Sequence, residues 1–345
     1  MATTFDISPE KRAGQLHYYY RQLFVTPQPV LRRNAGLSGK TAIVTGSNSG
    51  IGLEIAGQLV DLGCSVILAV RDESRGEKAR QELNSTRNIP PDIVQVWKLD
   101  ISSYDSISTF ISRVKGLENL DIAILNAGVY KFTESFSSTG YEESVQINYL
   151  SNILLMILLL PIIKEKRIGS APGQICLVSS DAAAWSKFEE RSSSHLLSAF
   201  TTKMANWNMA DRYATSKLLG QLFITELAKH VPPSVVTLTA ANPGFCNGSG
   251  LGREFHGIIY LIVMIQFFFL SRTCAVGART IVHAVSSFGE QAHGQYIEDA
   301  KIQPMPPIIY KPEGLRLAKQ LYEETLDELS FAGLRDIINQ VSKTK

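Results

Sequence analysis

From Leu37 onward the chain alternates short apolar runs with longer amphipathic stretches. The apolar runs are Thr41–Thr45, Ser65–Val70, Ile93–Trp97, Asp121–Leu125, Gln174–Val178 and Val235–Ala240. Each is short, rich in β-formers and apolar throughout, as a strand covered on both faces requires. Between them lie stretches of helical length: Ile51–Leu62, Ser103–Lys115, Tyr141–Lys166 and Met209–His230. In the first, Ile51, Ile55, Leu59 and Leu62 share one face and Gly63 supplies the stop. Strands alternating with helices predict βαβ units and a parallel sheet, an α/β doubly wound (Rossmann) fold. Such a sheet binds its ligand at the carboxyl ends of its strands.

Residues 1–36 stand outside this alternation and read as an N-terminal extension, with 37–345 forming one domain. Pro9–Phe24 predicts a short helix rich in Tyr and Arg, and Thr26–Val30, with two prolines, an extended linker. The first residues lack an apolar signal core, which predicts a cytoplasmic protein. The two longest apolar runs, Leu154–Ile163 and Ile258–Leu270, contain Pro161 and Gln266. Both fall short of the roughly 20 apolar residues that a bilayer span needs. Core packing and peripheral membrane contact stay open as readings of the extension and of the second run. Leu154–Ile163 is read either as buried core or as a face that pairs two copies of the chain.

Composition narrows the function. The chain has 345 residues, 45% hydrophobic and 19% charged, which excludes a disordered chain. Its 34 Lys and Arg against 32 Asp and Glu give a charge of +2, too even for a nucleic-acid binder. The four cysteines, Cys64, Cys176, Cys246 and Cys274, are far apart and form no metal-binding or disulfide pattern.

The candidate chemistry sits where the strands end. The first strand runs into Thr45-Gly-Ser-Asn-Ser-Gly-Ile-Gly52, and a helix follows. Gly46, Gly50 and Gly52, with Ser49 and Ile51 between them, suit a tight turn that brings backbone N–H groups to a pyrophosphate. The second strand ends at Arg71, where an NAD site often carries an acidic group for the ribose hydroxyl. An Arg pairs with a 2′-phosphate instead, so NADP is expected over NAD, although Asp72 follows directly. Asp100, after the third strand, suits an acceptor for the adenine amino group. Asn126, Ala127 and Gly128, after the fourth, let a ribose lie close to the backbone.

The fifth strand ends Val178-Ser179-Ser180, and the following helix carries Tyr213 and Lys217 four residues apart on one face. A nearby ammonium favours phenolate over phenol, which makes Tyr213 a proton donor for a carbonyl or a base for an alcohol. Together, T-G-x-x-x-G-I-G, N-A-G, the serine after the fifth strand and Y-x-x-x-K, in that order, resemble the short-chain dehydrogenase/reductase family over roughly 60% of the chain. The resemblance implies a catalytic set of Asn148, Ser180, Tyr213 and Lys217. Ser180, preferred over Ser179 as the second of the pair, would orient the substrate oxygen. Tyr213 would move the proton. Lys217 would lower the Tyr213 pKa and hold the nicotinamide ribose, and Asn148 would anchor a relay water. Asn242-Pro243-Gly244 resembles the turn that meets the nicotinamide, with Gly244 and Cys246 as contacts; where the family often has Thr, this chain has Gly248 followed by Ser249.

Two departures bear on the substrate. Ser180 and Tyr213 lie 33 positions apart, and the segment 185–208 between them carries Trp185, Phe188, Phe200, Met204 and Trp207. It resembles the longer insert of retinol-dehydrogenase-like and fungal secondary-metabolism members, and its position next to Ser180 predicts a border of the substrate pocket, with core packing as the other reading. Residues 248–271 fall where the family places a lid, and Phe255–Leu270 is apolar. The expected function is NADP-dependent hydride transfer to or from the carbonyl or alcohol of a lipophilic small molecule. A dinucleotide-binding scaffold or redox sensor without turnover is the alternative. Such proteins commonly lose the Tyr or the Lys, and this chain keeps both.

Overall fold

Short Val- and Ile-rich runs that end in glycine or polar turns form most of the strands, and a computed structural model places eight strands in one sheet, beside a two-stranded pairing of Cys246–Asn247 with Arg272–Thr273. The structure describes residues 5–250 and 270–343, so most of the expected lid, 251–269, lies outside the described residues. The strands are β1 Thr41–Thr45, β2 Ser65–Val70, β3 Val94–Lys98, β4 Ile122–Leu125, β5 Gly173–Val178 and β6 Val236–Asn242, followed by β7 Gln295–Glu298 and β8 Lys301–Gln303. They line up as β3-β2-β1-β4-β5-β6-β7-β8, parallel except for the last pair. The sheet is the doubly wound one that the alternating pattern predicts. Its order reverses between β1 and β4, which opens a crevice at the strands' carboxyl ends.

Helices cover both faces. On one lie α3 Gly50–Asp61, α4 Glu73–Arg87 and α8 Cys274–Ser286. On the other lie α5 Tyr104–Val114, α6 Asn152–Lys166 and α7 Met209–Leu227, joined by α9 Pro312–Glu328 and α10 Leu334–Ser342. The central strands β4, β5 and β6 are buried along their whole length, because apolar side chains leave both faces into these layers. Caps fix several helix starts: Asp72, Ser103, Asn208 and Thr273 each accept a backbone N–H of the first turn.

The apolar stretch before β5 is not one regular helix. A short turn at Glu143–Val145 leads into a π-helical turn, Gln146–Ser151, and then α6. The 24 residues Glu143–Lys166 are apolar enough to cross a membrane, but 89% of the most apolar window is buried inside the protein. Among the described residues this is a core helix.

The N-terminal extension packs onto the domain. Gly14, with extended backbone, splits the expected single helix into α1 Pro9–Ala13 and α2 Gln15–Phe24. Arg12 and Arg21 are buried, and both reach the end of β7.

Candidate functional site

A cleft of about 530 Å³ opens at the carboxyl ends of the parallel strands, within the range of small-molecule sites. Of the residues singled out from sequence, the cleft brings together Gly46, Ser49, Ile51, Gly52, Arg71, Asp100, Asn126, Ala127, Gly128, Ser180, Tyr213, Lys217, Gly244 and Cys246. Gly50 and Asn148 stand behind this surface.

One end is built for an anion. Gly46 has φ +64°, a left-handed conformation that glycine adopts without strain. A Cβ at Gly52 would come within 2.5 Å of the Gly46 carbonyl and 2.6 Å of Asn126 Nδ2, so only glycine lets the loop close this tightly. The start of α3 differs from the capped helices, because Ser49 makes no side-chain cap bond. Its first N–H groups therefore face the cleft without a capping oxygen, together with the positive end of the helix dipole. The Asn126 amide serves the loop, donating to the carbonyls of Thr45 at 2.9 Å and Gly46 at 3.3 Å.

At the adenosine end, Arg71 lines the cleft with Arg75, which sequence reasoning did not single out. Asp72, which blurred the reading of Arg71, is occupied elsewhere. Its carboxylate accepts from Ser74 Oγ at 2.7 Å and from the Arg75 N–H at 3.2 Å, and those bonds hold its pKa low. Asp100 likewise accepts from the N–H and Oγ of Ser102 at 3.0 and 2.7 Å.

At the other end β5 presents Ser180, and one face of α7 presents Tyr213 and Lys217. Ser180 hydrogen-bonds Tyr213, and its Oγ accepts from the N–H of Ala182 at 3.1 Å. Ser179 also lines the cleft, but its Oγ accepts from Gln221 Nε2 at 2.8 Å, whereas Ser180 is the serine bonded to Tyr213. Tyr130 packs on Tyr213 with ring centres 4.8 Å apart, a neighbour absent from the expected set.

The electrostatics differ from the expectation that Lys217 governs Tyr213. Burial pushes the Tyr213 phenol up, and the charge of Asp181 pushes it the same way, against the bond from Ser180. Burial lowers Lys217 to about 8. Its Nζ donates to the carbonyl of Val178 at 2.9 Å and lies 5.7 Å from the centre of the Tyr213 ring. Here the ammonium is held by the strand end and not by the phenol.

Asn148 sits in the π-helical turn and is buried. Its Oδ1 accepts from the N–H of Val129 at 2.8 Å, while Nδ2 donates to the Val129 carbonyl and to Ser216 Oγ, both at 2.9 Å. Ser216 in turn donates to the Tyr213 carbonyl at 2.7 Å. The Asn148 side chain braces the strip after β4 against α7.

Much of the insert 185–208 packs into the core, the second of the two readings of this segment. Among the described residues none of it lines the cleft. Phe188, Leu196 and Phe200 are fully buried in the core, and Glu324 of α9 accepts the N–H groups of Leu196 and Leu197 at 3.0 and 2.8 Å. Its aromatic content reflects hydrophobic burial. Ser249 lines the cleft and donates to the Cys246 carbonyl at 3.0 Å.

Residues 40–206 match the family model of the short chain dehydrogenases. The chain is 56% identical to the short-chain dehydrogenase fogG of Aspergillus ruber, over 99% of this chain and 100% of that one. It is 40% identical to the short chain dehydrogenase/reductase mfmJ of Annulohypoxylon moriforme, over 99% of both chains. The fold matches that of Pseudomonas aeruginosa RhlG, solved as an NADP active-site complex, with TM-score 0.60 and 21% identity over 77% of this chain and 96% of that one. Given identity above one half along nearly its full length, the chain belongs to the short-chain dehydrogenase/reductase family and is an oxidoreductase.

Proposed function

We propose that this oxidoreductase uses NADP(H) to interconvert a carbonyl and a secondary alcohol on a lipophilic small molecule of secondary metabolism. The observation that carries the reading is the two-ended cleft. An uncapped helix start and two guanidiniums, Arg71 and Arg75, stand at one end, and Ser180, Tyr213 and Lys217 at the other.

The residues fit the cofactor. The start of α3 would take the pyrophosphate, Arg71 and Arg75 the 2′-phosphate, and Lys217 the nicotinamide ribose. The bound cofactor supplies or accepts the hydride, and the protein supplies position and a proton. In reduction, Ser180 Oγ donates to the substrate oxygen, and Tyr213 Oη gives its proton to that oxygen as the carbonyl carbon becomes an alcohol carbon. A phenol held protonated by burial suits this direction, since it donates without first having to be charged. Lys217 then answers the charge left on Tyr213. Asn148 positions Val129 and α7.

The four cysteines are unpaired, three of them buried. That fits a reducing compartment, the cytoplasm. The test is consumption of NADPH and NADH by the purified protein with a panel of lipophilic ketones and aldehydes, beside Tyr213→Phe. Turnover with NADPH that collapses in the variant supports the reading. Equal turnover with NADH overturns the cofactor preference, and full activity of Tyr213→Phe overturns the proton route.

A further inference from the structure

Directly behind Ser180 lies a buried ionic cluster that the hydride-transfer scheme does not use. Three carboxylates meet there: Asp181, next to the catalytic serine, and Glu298 and Asp299 at the end of β7. Three guanidiniums face them: Arg272, and Arg12 and Arg21 from the N-terminal extension. The charges balance three against three, and two of the cations come from outside the sheet and its helices. Arg21 is the hub. Its Nη2 donates to Asp181 Oδ2 at 3.0 Å, and its Nη1 lies 2.9 Å from Glu298 Oε2 and 3.0 Å from Asp299 Oδ2.

Asp181 touches the reaction site from the other side. Ser180 Oγ lies 3.4 Å from Asp181 Oδ1, while the same hydroxyl bonds Tyr213. An uncompensated carboxylate here would compete for the serine proton and oppose phenolate formation. The extension also ties down the nicotinamide turn. Gln22 Oε1 accepts the N–H of Phe245 at 3.1 Å, and Asn242 Nδ2 donates to Glu298 Oε1 at 2.9 Å.

We propose that Arg21 is a positioning residue of the reaction site, acting through Asp181: the ion pair fixes the Ser180 turn and cancels the carboxylate charge beside the Tyr213 phenol. The N-terminal extension is then part of the active site, although it touches neither cofactor nor substrate. The proposal rests on the reading of Ser180 and Tyr213 given above.

Every element packed on Asp181 contributes charge or a titratable group. The extension brings Arg12, Tyr18 and Arg21, β7 brings Tyr296 and Glu298, and α7 brings Tyr213; Cys246 lies on the nicotinamide side. Asp299 and Arg272 pair with each other at 2.6 Å, and His17 lies on the outer side near Arg21. Arg21 makes the short contact to Asp181 but also contacts Glu298 and Asp299, so the pair is isolated by comparing both single variants with the double variant.

The test is ionisation of Tyr213, followed by 19F NMR in protein labelled with 3-fluorotyrosine, whose phenol ionises at lower pH than tyrosine. Tyr213→Phe assigns the resonance. Burial and the charge of Glu298 push the Asp181 carboxyl up while Arg21 and Arg12 pull it down, and it is as the carboxylate that Asp181 opposes a Tyr213 phenolate, which sets the signs. Arg21→Met moves the titration up by about one pH unit, and Asp181→Asn moves it down by about as much. The double variant, again charge-balanced, returns to the wild-type value, as does Arg21→Lys. With a ketone reduced by the wild type, Arg21→Met lowers kcat by about tenfold while KM for NADPH holds, and the double variant recovers the loss. An unmoved Tyr213 titration in Asp181→Asn overturns the proposal, as does a double variant no better than Arg21→Met. If Arg21→Met does not fold, Asp181→Asn and Arg21→Lys decide the matter. Failure of the underlying reading is separate: carbonyl reduction would persist in Tyr213→Phe even where the titrations shift.

Discussion

Lys217 donates from Nζ to the carbonyl of Val178 at 2.9 Å, and two residues beyond that carbonyl the same strand end presents Ser180. One bond thus ties the helix carrying Tyr213 to the strand carrying its serine. Burial of the ammonium, with a neutral carbonyl as partner, lowers its pKa to about 8. Lys217 therefore loses its charge near working pH, before any exposed lysine would.

This fixes a pH dependence. The kcat/KM for carbonyl reduction reports the free enzyme, so it falls as pH rises through about 8 and Lys217 deprotonates. Lys217→Arg keeps its charge and removes that inflection, whatever its effect on the maximum rate. A profile flat from pH 7 to 10 in the wild type would show that Lys217 does not titrate there.

The same burial acts on stability. The folded pKa lies below the 10.5 of an unfolded lysine. Between about 8 and 10.5 the unfolded chain binds the extra proton, so stability rises with pH across that window. The gain is about 3 kcal/mol at most. Urea unfolding at pH 7.5 and 10.5 reads it as the difference between wild type and Lys217→Met, which lacks the buried charge.

The anion end gives a prediction on affinity. Arg71 and Arg75 flank the adenosine end, and Asp72 is committed to capping α4. Arg71→Ala is expected to weaken NADPH binding by about tenfold and leave NADH nearly unchanged. Both guanidiniums are exposed, so the NADPH preference also shrinks with added salt. Fluorescence titration with the two nucleotides at two salt concentrations checks both points. Equal losses for NADPH and NADH would place the 2′-phosphate elsewhere.

Much of this architecture was legible in the chain, and the exceptions have physical causes. Strands β1, β2, β4, β5 and β6 announce themselves because strands covered on both faces are largely apolar, whereas the edge strand β3 is partly exposed and the parallel β7 gave no such run. The glycine loop and the Tyr213–Lys217 pair are legible because turn geometry and helical period are local. Helix α4 gave no such signal, since it buries only Gly76, Ala79 and Leu83. The insert stayed open between two readings because large aromatics serve a core as well as a pocket, and Phe188 and Phe200 serve the core. Arg21 and Asp181 are 160 positions apart, and no period or motif links them. The clue was weak: the one extension helix rich in tyrosine also carried an arginine that turned out to be buried. Tyr130 was missed for a similar reason, because its place on Tyr213 follows from the path of the chain after β4.

The ionic cluster gives the last prediction. Burial alone would push the Glu298 carboxyl up, but Arg12 and Arg21 outweigh it and hold the group at about 2. Arg12 donates to both Glu298 oxygens, at 2.7 and 3.0 Å, and Tyr296 and Asn242 each donate to Oε1 at 2.9 Å. A depressed carboxyl contributes stability above its unfolded pKa and loses it as pH falls through the folded value. The window here runs from 4.5 down to about 2. Glu298→Gln keeps the shape, removes the charge and leaves two buried guanidiniums with less compensation. It should destabilise the protein by about 3–5 kcal/mol at pH 7. The deficit should narrow below about pH 4.5, where the unfolded chain's carboxyl takes up a proton that the folded, ion-paired one still refuses. Denaturant melts of both proteins at pH 7 and pH 3 test the sign as well as the size. A deficit that stays constant between them would mean that packing at 298, and not charge, secures the N-terminal helices to the sheet.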